Sequence, residues 1–178
     1  AHLKRRRPET NRPRLKNGCL LPYLGKEHLL VITAAPRGQV FLDRDTLHVE
    51  TDNAGPLSPV QQCRQLLEQW YLQQAIRHLD DRLQYWSRRT NLSYQSLKVR
   101  SYKSRWGSCD RLKRITLNSR LMMAPEPVIE YVIIHELCHL RHLNHSAEFW
   151  ALVERYCPGY QQHRRWLRSH DAQLRLPE

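Results

Sequence analysis

No stretch of this sequence is both apolar and long enough to cross a bilayer or to form the core of a secretory leader. The most apolar early segment, residues 20–35, is interrupted by Pro22, Gly25, Lys26, Glu27 and His28. No two cysteines are spaced C-x-x-C, and the five present (Cys19, Cys63, Cys109, Cys138, Cys157) are odd in number and far apart. That usage excludes a disulfide-stapled secreted framework and fits free thiols in a reducing compartment. Together these absences lead us to expect a cytoplasmic protein with no membrane partner. No internal repeat and no low-complexity core is present, which excludes a solenoid or an array.

Aromatic residues are missing from the most basic part of the chain. Residues 1–18 carry Lys4, Arg5, Arg6, Arg7, Arg12, Arg14 and Lys16 against Glu9, a balance of +6 that is half of the net +12. With Pro8 and Pro13 and little that is apolar, residues 1–18 read as a basic flexible arm, and residues 19–178 as a single domain. Such a charge run is a handle for a polyanion, so weak nucleic-acid binding through the arm is one partner expectation. The lack of aromatics on which bases could stack favours a solvated tail instead. Removing residues 1–18 is expected to leave folding and metal content unchanged.

What is present is 178 residues with an apolar share of 40%, enough for one core that needs no disulfide or metal to hold it. Residues 29–32, 40–42 and 47–49 read as a small β-meander, with turns at Pro36-Arg37-Gly38 and Asp43-Arg44-Asp45 and a break at Asn53-Ala54-Gly55-Pro56. A long helix follows, as one piece or as two with a bend. Ser58 is placed to cap it, Pro59 suits its first position and Gln61 completes a capping box. Val60, Cys63, Leu67, Trp70, Ile76, Leu79, Leu83 and Trp86 recur near helical spacing. Residues 97–103 and 115–120 read as two strands joined around Gly107 and Asp110. Pro125-Glu126-Pro127 opens a helix that is apolar on nearly all sides between residues 128 and 140, which marks it as buried. Shorter helices are expected over residues 146–156 and 161–169.

That buried helix carries His135-Glu136-Leu137-Cys138-His139. Residues four apart lie about 40° apart around a helix and ~6 Å along it, so two imidazoles can converge on one Zn²⁺ with bonds of about 2.0–2.1 Å. Glu136, next to the first ligand, can reach a water on the metal without being a ligand. Two histidines and a glutamate are costly in a buried helix unless something satisfies them, and a metal with its water would satisfy all three. A catalytic zinc takes a third protein ligand, and His145 is the first choice. A straight helix would carry it ~9 Å past His139, so the chain must turn back. Asn144 tolerates the left-handed conformation that ends helices, and Ser146 can cap the next one, with Glu148 in its first turn. The result, H-E-x-x-H-x-x-H-x-x-H, has metzincin ligand spacing with His142 in place of that pattern's glycine. His142, Glu148 and Glu154 are rival third ligands. Cys138, Trp150, Trp166 and Tyr156 read as packing residues, and Cys109 as a structural thiol.

Further stretches carry a family resemblance. They are Val99-Arg100-Ser101-Tyr102-Lys103-Ser104-Arg105-Trp106-Gly107-Ser108-Cys109, Leu117-Asn118-Ser119-Arg120-Leu121, the run from Tyr131 to Leu140, and Asn144-His145-Ser146-Ala147-Glu148-Phe149-Trp150. With Tyr23-Leu24-Gly25-Lys26, Pro158-Gly159-Tyr160 and Trp166-Leu167, they resemble the YgjP-like metal-dependent hydrolases, relatives of SprT-like and other zincin peptidases. The likeness covers about residues 20–168. It implies a minimal zincin-like α+β fold, a small mainly antiparallel sheet against the active-site helix, zinc held by His135, His139 and His145, and Glu136 as catalytic base.

The expected activity is therefore a zinc-dependent metallopeptidase acting on a peptide or protein. Arg105, Tyr102 and His142 are candidate donors to the developing oxyanion. The strand at residues 115–121 is a candidate to pair with an extended peptide. Two other classes stand beside this one. One is a nucleic-acid-associated, SprT-like protease, and the other is a non-catalytic module whose zinc is structural.

Overall fold

The computed structural model describes residues 14–52 and 56–178. Residues 1–13, which hold most of the basic segment, and residues 53–55 of the expected break lie outside them. The described end of the segment is attached to the domain. Leu15 is 3% exposed, and its N–H donates to the Glu178 carbonyl at 2.7 Å. The side-chain oxygen of Asn17 accepts from the Ile32 N–H at 2.8 Å, and Gly18 donates to the Leu30 carbonyl. A boundary at residue 18 is therefore too late, because one leucine among charges has no periodicity to announce its burial. Deleting residues 1–13 should leave the melting temperature within about 2 °C. Deleting residues 1–18 should lower it by about 3–12 °C, since a buried leucine contributes about 1.5–3 kcal/mol and each kcal/mol is about 2–4 °C in a domain of this size. Equal melting temperatures for the two truncations would show that Leu15 contributes nothing.

The first sheet holds β1 (Leu20–Tyr23), β2 (Lys26–Ala34), β3 (Gln39–Asp43) and β4 (Thr46–Thr51) in the order β1-β2-β4-β3. It is not the expected meander, since β4 runs parallel to β2 and β3 sits at the edge. The reason is apolar content. Leu47 and Val49 of β4 are fully buried beside Leu30 and Ile32, whereas Val40 and Leu42 of β3 are half-buried. The strand with more to bury takes the interior position.

Helix α1 (Pro59–Thr90) is one unbroken helix of 32 residues. Ser58 and Gln61 form the expected capping box, and Asn91 closes the far end in the left-handed conformation. Its buried face is Cys63, Leu67, Trp70, Tyr71, Ala75, Leu79, Leu83 and Trp86, while Val60 and Ile76 fall off that face and are exposed.

The second sheet, β5 (Ser96–Arg100), β6 (Gly107–Cys109) and β7 (Arg114–Asn118), has the order β5-β7-β6. The stretch read as a loop around Gly107 is thus a strand in its own right. β7 is parallel to β5 and antiparallel to β6. Across both sheets three of five pairings are antiparallel, so the α+β class holds with its strands split between two small sheets. Because β7 is flanked on both sides, it has no free edge for a peptide, which overturns the expectation for residues 115–121.

A 3₁₀ turn (Ser119–Met123) leads into α2 (Glu126–Cys138), followed by α3 (Ala147–Tyr156) and α4 (Tyr160–His170). α2 packs among α1, the second sheet, α3 and α4, which is why it is apolar almost all round. Its N-terminal end is fixed from two sides. Glu126 pairs with His78 (2.9 Å) and Arg82 (3.4 Å) of α1, and Arg82 also pairs with Glu130. Opposite, the β1–β2 turn docks on Pro125. Leu24 and Gly25 both have positive φ, as a two-residue type I′ hairpin requires, and Leu24 donates to the Met122 carbonyl at 2.7 Å. A Cβ on Gly25 would stand 2.8 Å from Pro125 Cα, so glycine is needed both for the turn and for the approach. No helix among the described residues is long and apolar enough to cross a membrane.

Candidate metal centre and active site

α2 places His135 in its last turn, and His139 occupies its C-cap with near-helical backbone angles. The chain then leaves the helix. The Cys138 carbonyl accepts from both Arg141 (3.1 Å) and His142 (3.0 Å), which tightens the final turn and sends the backbone toward α3. Asn144 is not among the residues with positive φ, so the reversal expected from it is made by this tightening instead. Ser146 caps α3 as expected, its hydroxyl accepting from the Phe149 N–H at 3.4 Å.

The reversal brings His145 back to the first two histidines. One nitrogen from each of His135, His139 and His145 lies within 4.8 Å of the others. The Nε2 atoms of His135 and His145 are 3.2 Å apart. Around a tetrahedral zinc with bonds of 2.0–2.1 Å, two ligand atoms are about 3.3 Å apart. The Nδ1–H of His139 donates to the His142 carbonyl at 3.0 Å, which fixes the tautomer that leaves Nε2 unprotonated.

Phe149 and Trp150, one turn into α3, explain the rest of the N-H-S-x-x-F-W stretch. Phe149 is fully buried and lies 4.5, 4.9 and 4.8 Å from the rings of His139, His135 and His145, an apolar wedge behind all three. Trp150 stacks on His145 at 5.5 Å and on Tyr160 at 4.9 Å. It holds a candidate ligand, and so does more than pack.

Glu136 is 5% exposed, and its Oε2 has no hydrogen-bond partner in the structure. The buried Nδ1 of His135 likewise has none. Burial pushes the Glu136 carboxyl up to about 8, and burial reinforced by the neighbouring histidines and Arg164 pulls His135 down to about 3. His139 is lowered mainly by burial. Both shifts follow chiefly from burial, which disfavours the charged form of each group. Three imidazoles that converge beside an orphaned carboxylate fit a zinc ion.

The space for the carboxylate is made by β6. A Cβ on Gly107 would stand 2.5 Å from Glu136 Oε1 and 2.7 Å from its Cγ. Gly107 is therefore the glycine of the R-W-G-S-C stretch because the backbone must pass directly over Glu136. Asn118 and Arg120 hold the loop that leads to it. Asn118, fully buried, donates to the carbonyls of Tyr102 (3.0 Å) and Arg105 (2.7 Å). Arg120, 9% exposed, donates to the carbonyls of Tyr102 and Asp171 and to the Asp171 carboxylate, and lies 4.7 Å over the Trp106 ring.

The structure brings His135, His139 and His145 together, sets Glu136 in a pocket that His135 also lines, and leaves the rivals out. The His142 ring, Glu148 and Glu154 are absent from the histidine cluster. The Glu154 carboxylate accepts from the Gly159 N–H. Of the three expected oxyanion donors, Tyr102 faces a different cleft beside α1, and neither Arg105 nor His142 lines the pocket at Glu136. That pocket, about 420 Å³, is lined instead by Trp106, Tyr131, Val132, Arg164, Leu167, Arg168 and Asp171 around His135 and Glu136. Tyr131 was findable, since it lies one turn before His135 on the same helix face. Arg164 and Arg168 are distant in sequence and gave no local signal.

A family profile described as "YgjP-like, metallopeptidase domain" matches residues 1–170, and so includes the basic segment outside the resemblance over residues 20–168. No curated protein matches the sequence. Among solved structures, the metallopeptidase zymogen abylysin of Pyrococcus abyssi is similar over 52% of this chain and 95% of its own, with 24% identity and a TM-score of 0.47. Jannalysin of Methanocaldococcus jannaschii, also a metallopeptidase zymogen, is similar over 52% and 94%, with 19% identity and a TM-score of 0.44.

Proposed function

The chain belongs to the YgjP-like metallopeptidase-domain family, and on that premise we propose that it hydrolyses peptide bonds, with zinc held by His135, His139 and His145 and Glu136 as proton carrier. The observation that supports this best is the convergence of three imidazole nitrogens beside a buried carboxylate oxygen that no protein group satisfies. Imidazole suits zinc, as it does copper, iron and nickel. Among the described residues no fourth ligating side chain joins the cluster. A structural zinc would be closed by one, and a catalytic zinc keeps a position open.

When bound, zinc supplies Lewis acidity, which brings the loss of a water proton toward pH ~7 and polarises a carbonyl. The chain's residues do the rest. Glu136 accepts the proton of the attacking water at its orphaned Oε2 and returns it to the leaving nitrogen. Phe149 and Trp150 keep the imidazoles in place and exclude water behind them. β6 is one of the two edge strands of its sheet, and the one that passes over Glu136. In its antiparallel ladder with β7 the peptide groups of Trp106, Ser108 and Asp110 face β7, so those of Gly107 and Cys109 face outward. An extended peptide can pair with them directly above Glu136.

The test is metal removal. Purified protein should carry about one zinc, and should cleave a peptide mixture at a rate that falls at least ~100-fold on chelation and returns with added zinc. Cleavage that is indifferent to chelation would sink this reading.

A further inference from the structure

The pocket beside Glu136 has a charge that the chemistry at the histidines does not use. One wall is the α4 face of Arg164, Leu167 and Arg168, continued by Asp171, which share a face by their spacing. Trp106, Tyr131 and Val132 add apolar surface to the lining. Its volume, about 420 Å³, is that of a small-ligand site.

Asp171 is the one carboxylate on the α4 wall, and it is already taken. Its Oδ1 is 3.3 Å from Arg120 and its Oδ2 is 2.7 Å from Arg175. Arg164 is held 4.9 Å over the Trp150 ring, a contact that orients the guanidinium without neutralising it. Among the described residues neither Arg164 nor Arg168 has a carboxylate within ion-pair distance. The pocket is thus a slot of mixed lining, with two exposed guanidiniums one helical turn apart on its α4 wall and no carboxylate paired with either.

We propose that this slot is a specificity pocket for a carboxylate on the substrate, with Arg164 and Arg168 as its recognition residues. The inference rests on the peptidase reading of the neighbouring site. A guanidinium presents paired N–H donors that match a carboxylate, and the apolar walls would hold the aliphatic part that bears it. A peptide carries that group either on an Asp or Glu side chain or at its own C-terminus.

Binding separates this proposal from the chemistry. The full chain carrying Glu136→Gln and loaded with zinc is titrated calorimetrically with acetylated, amidated hexapeptides in which a single Glu is walked along an Ala-Leu frame. The same frames with Gln, and with a free C-terminal acid, complete the set. At one position or at the C-terminus the acid should bind about ten- to a hundredfold more tightly than its neutral partner, as charge-assisted hydrogen bonds imply. Whichever arm responds identifies the source of the carboxylate. Arg164→Met with Arg168→Met should reduce the ratio below about threefold while the neutral peptides keep their affinity. Lysine at both positions, which keeps the charge, should retain part of the preference. Equal affinity for acid and neutral peptides throughout, or a preference that survives in the double Met variant, overturns the proposal. A clear acid preference in a protein whose wild type cleaves none of these peptides would support the pocket and count against the peptidase reading. Cleavage without acid preference would do the reverse.

Discussion

His145→Ala should lower zinc affinity by about 10²–10³-fold, whereas His142→Ala should change it by no more than about threefold. Zinc held by four protein ligands binds with ~10–16 kcal/mol, which apportions about 2.5–4 kcal/mol to each ligand and sets the first figure. The second follows from geometry. Only the main-chain carbonyl of His142 meets the site, accepting from His139 Nδ1–H at 3.0 Å, and alanine keeps that carbonyl. The His145 nitrogen stands 3.2 Å from that of His135, and no neighbouring donor in the cluster can replace it. Competition with a chromophoric chelator gives both affinities. Equal loss in the two variants, or loss only in His142→Ala, would overturn the ligand assignment. The imidazole stack predicts a lesser companion effect. Trp150 lies against His145, so its removal should loosen the third ligand without removing it.

Part of this architecture was written in local patterns. The capping box of Ser58 and Gln61, the buried character of α2 and the Ser146 cap each depend on residues within one or two turns of one another, and each appears where it was expected. Strand neighbours are different. Whether β4 lies beside β2 or β3 depends on what the rest of the domain can bury, and no periodicity within β3 states that Val40 and Leu42 will be covered less than Leu47 and Val49. β6 has three residues, too few for an alternating pattern to register. Gly107 was legible as part of the connection between two strands, but its reason, Glu136 2.5 Å from where its Cβ would be, spans 29 positions. The candidate ligands His135 and His139 were legible because two imidazoles one turn apart on a buried helix need a shared partner, and a metal ion is the one that suits both. The arginines of the pocket wall were not, since exposed arginines on a short helix look like any solvated face.

Glu136→Gln should keep the metal and lose the chemistry. The three histidines do not use the carboxylate, so zinc stoichiometry should stay near one per chain. Gln has nearly the shape of Glu, which matters because the Gly107 backbone passes over the side chain with no room for a larger group. It cannot accept a proton, and general-base catalysis contributes about 10²–10⁴-fold, so peptide hydrolysis should fall by at least ~100-fold. Stability should fall by no more than about 3 kcal/mol. Oε2 makes no hydrogen bond that the amide would break, although an amide placed there adds an unsatisfied buried donor that costs about 1–3 kcal/mol. At about 2–4 °C per kcal/mol that cost bounds the fall in melting temperature at ~12 °C. The burial that leaves Oε2 without a partner also makes the prediction specific. Burial holds the carboxyl pKa near 8 when no cation faces it, and an opposite charge nearby lowers it again. A cation held by the three histidines would therefore increase the ionised fraction of Glu136 at neutral pH, which is the form that can accept a proton. Steady-state cleavage of a peptide mixture, metal analysis and a thermal melt on the same preparation decide the matter. Hydrolysis at the wild-type rate would remove Glu136 from the mechanism. Loss of zinc from the variant would show that the carboxylate holds the metal site together, and its catalytic assignment would fall with it.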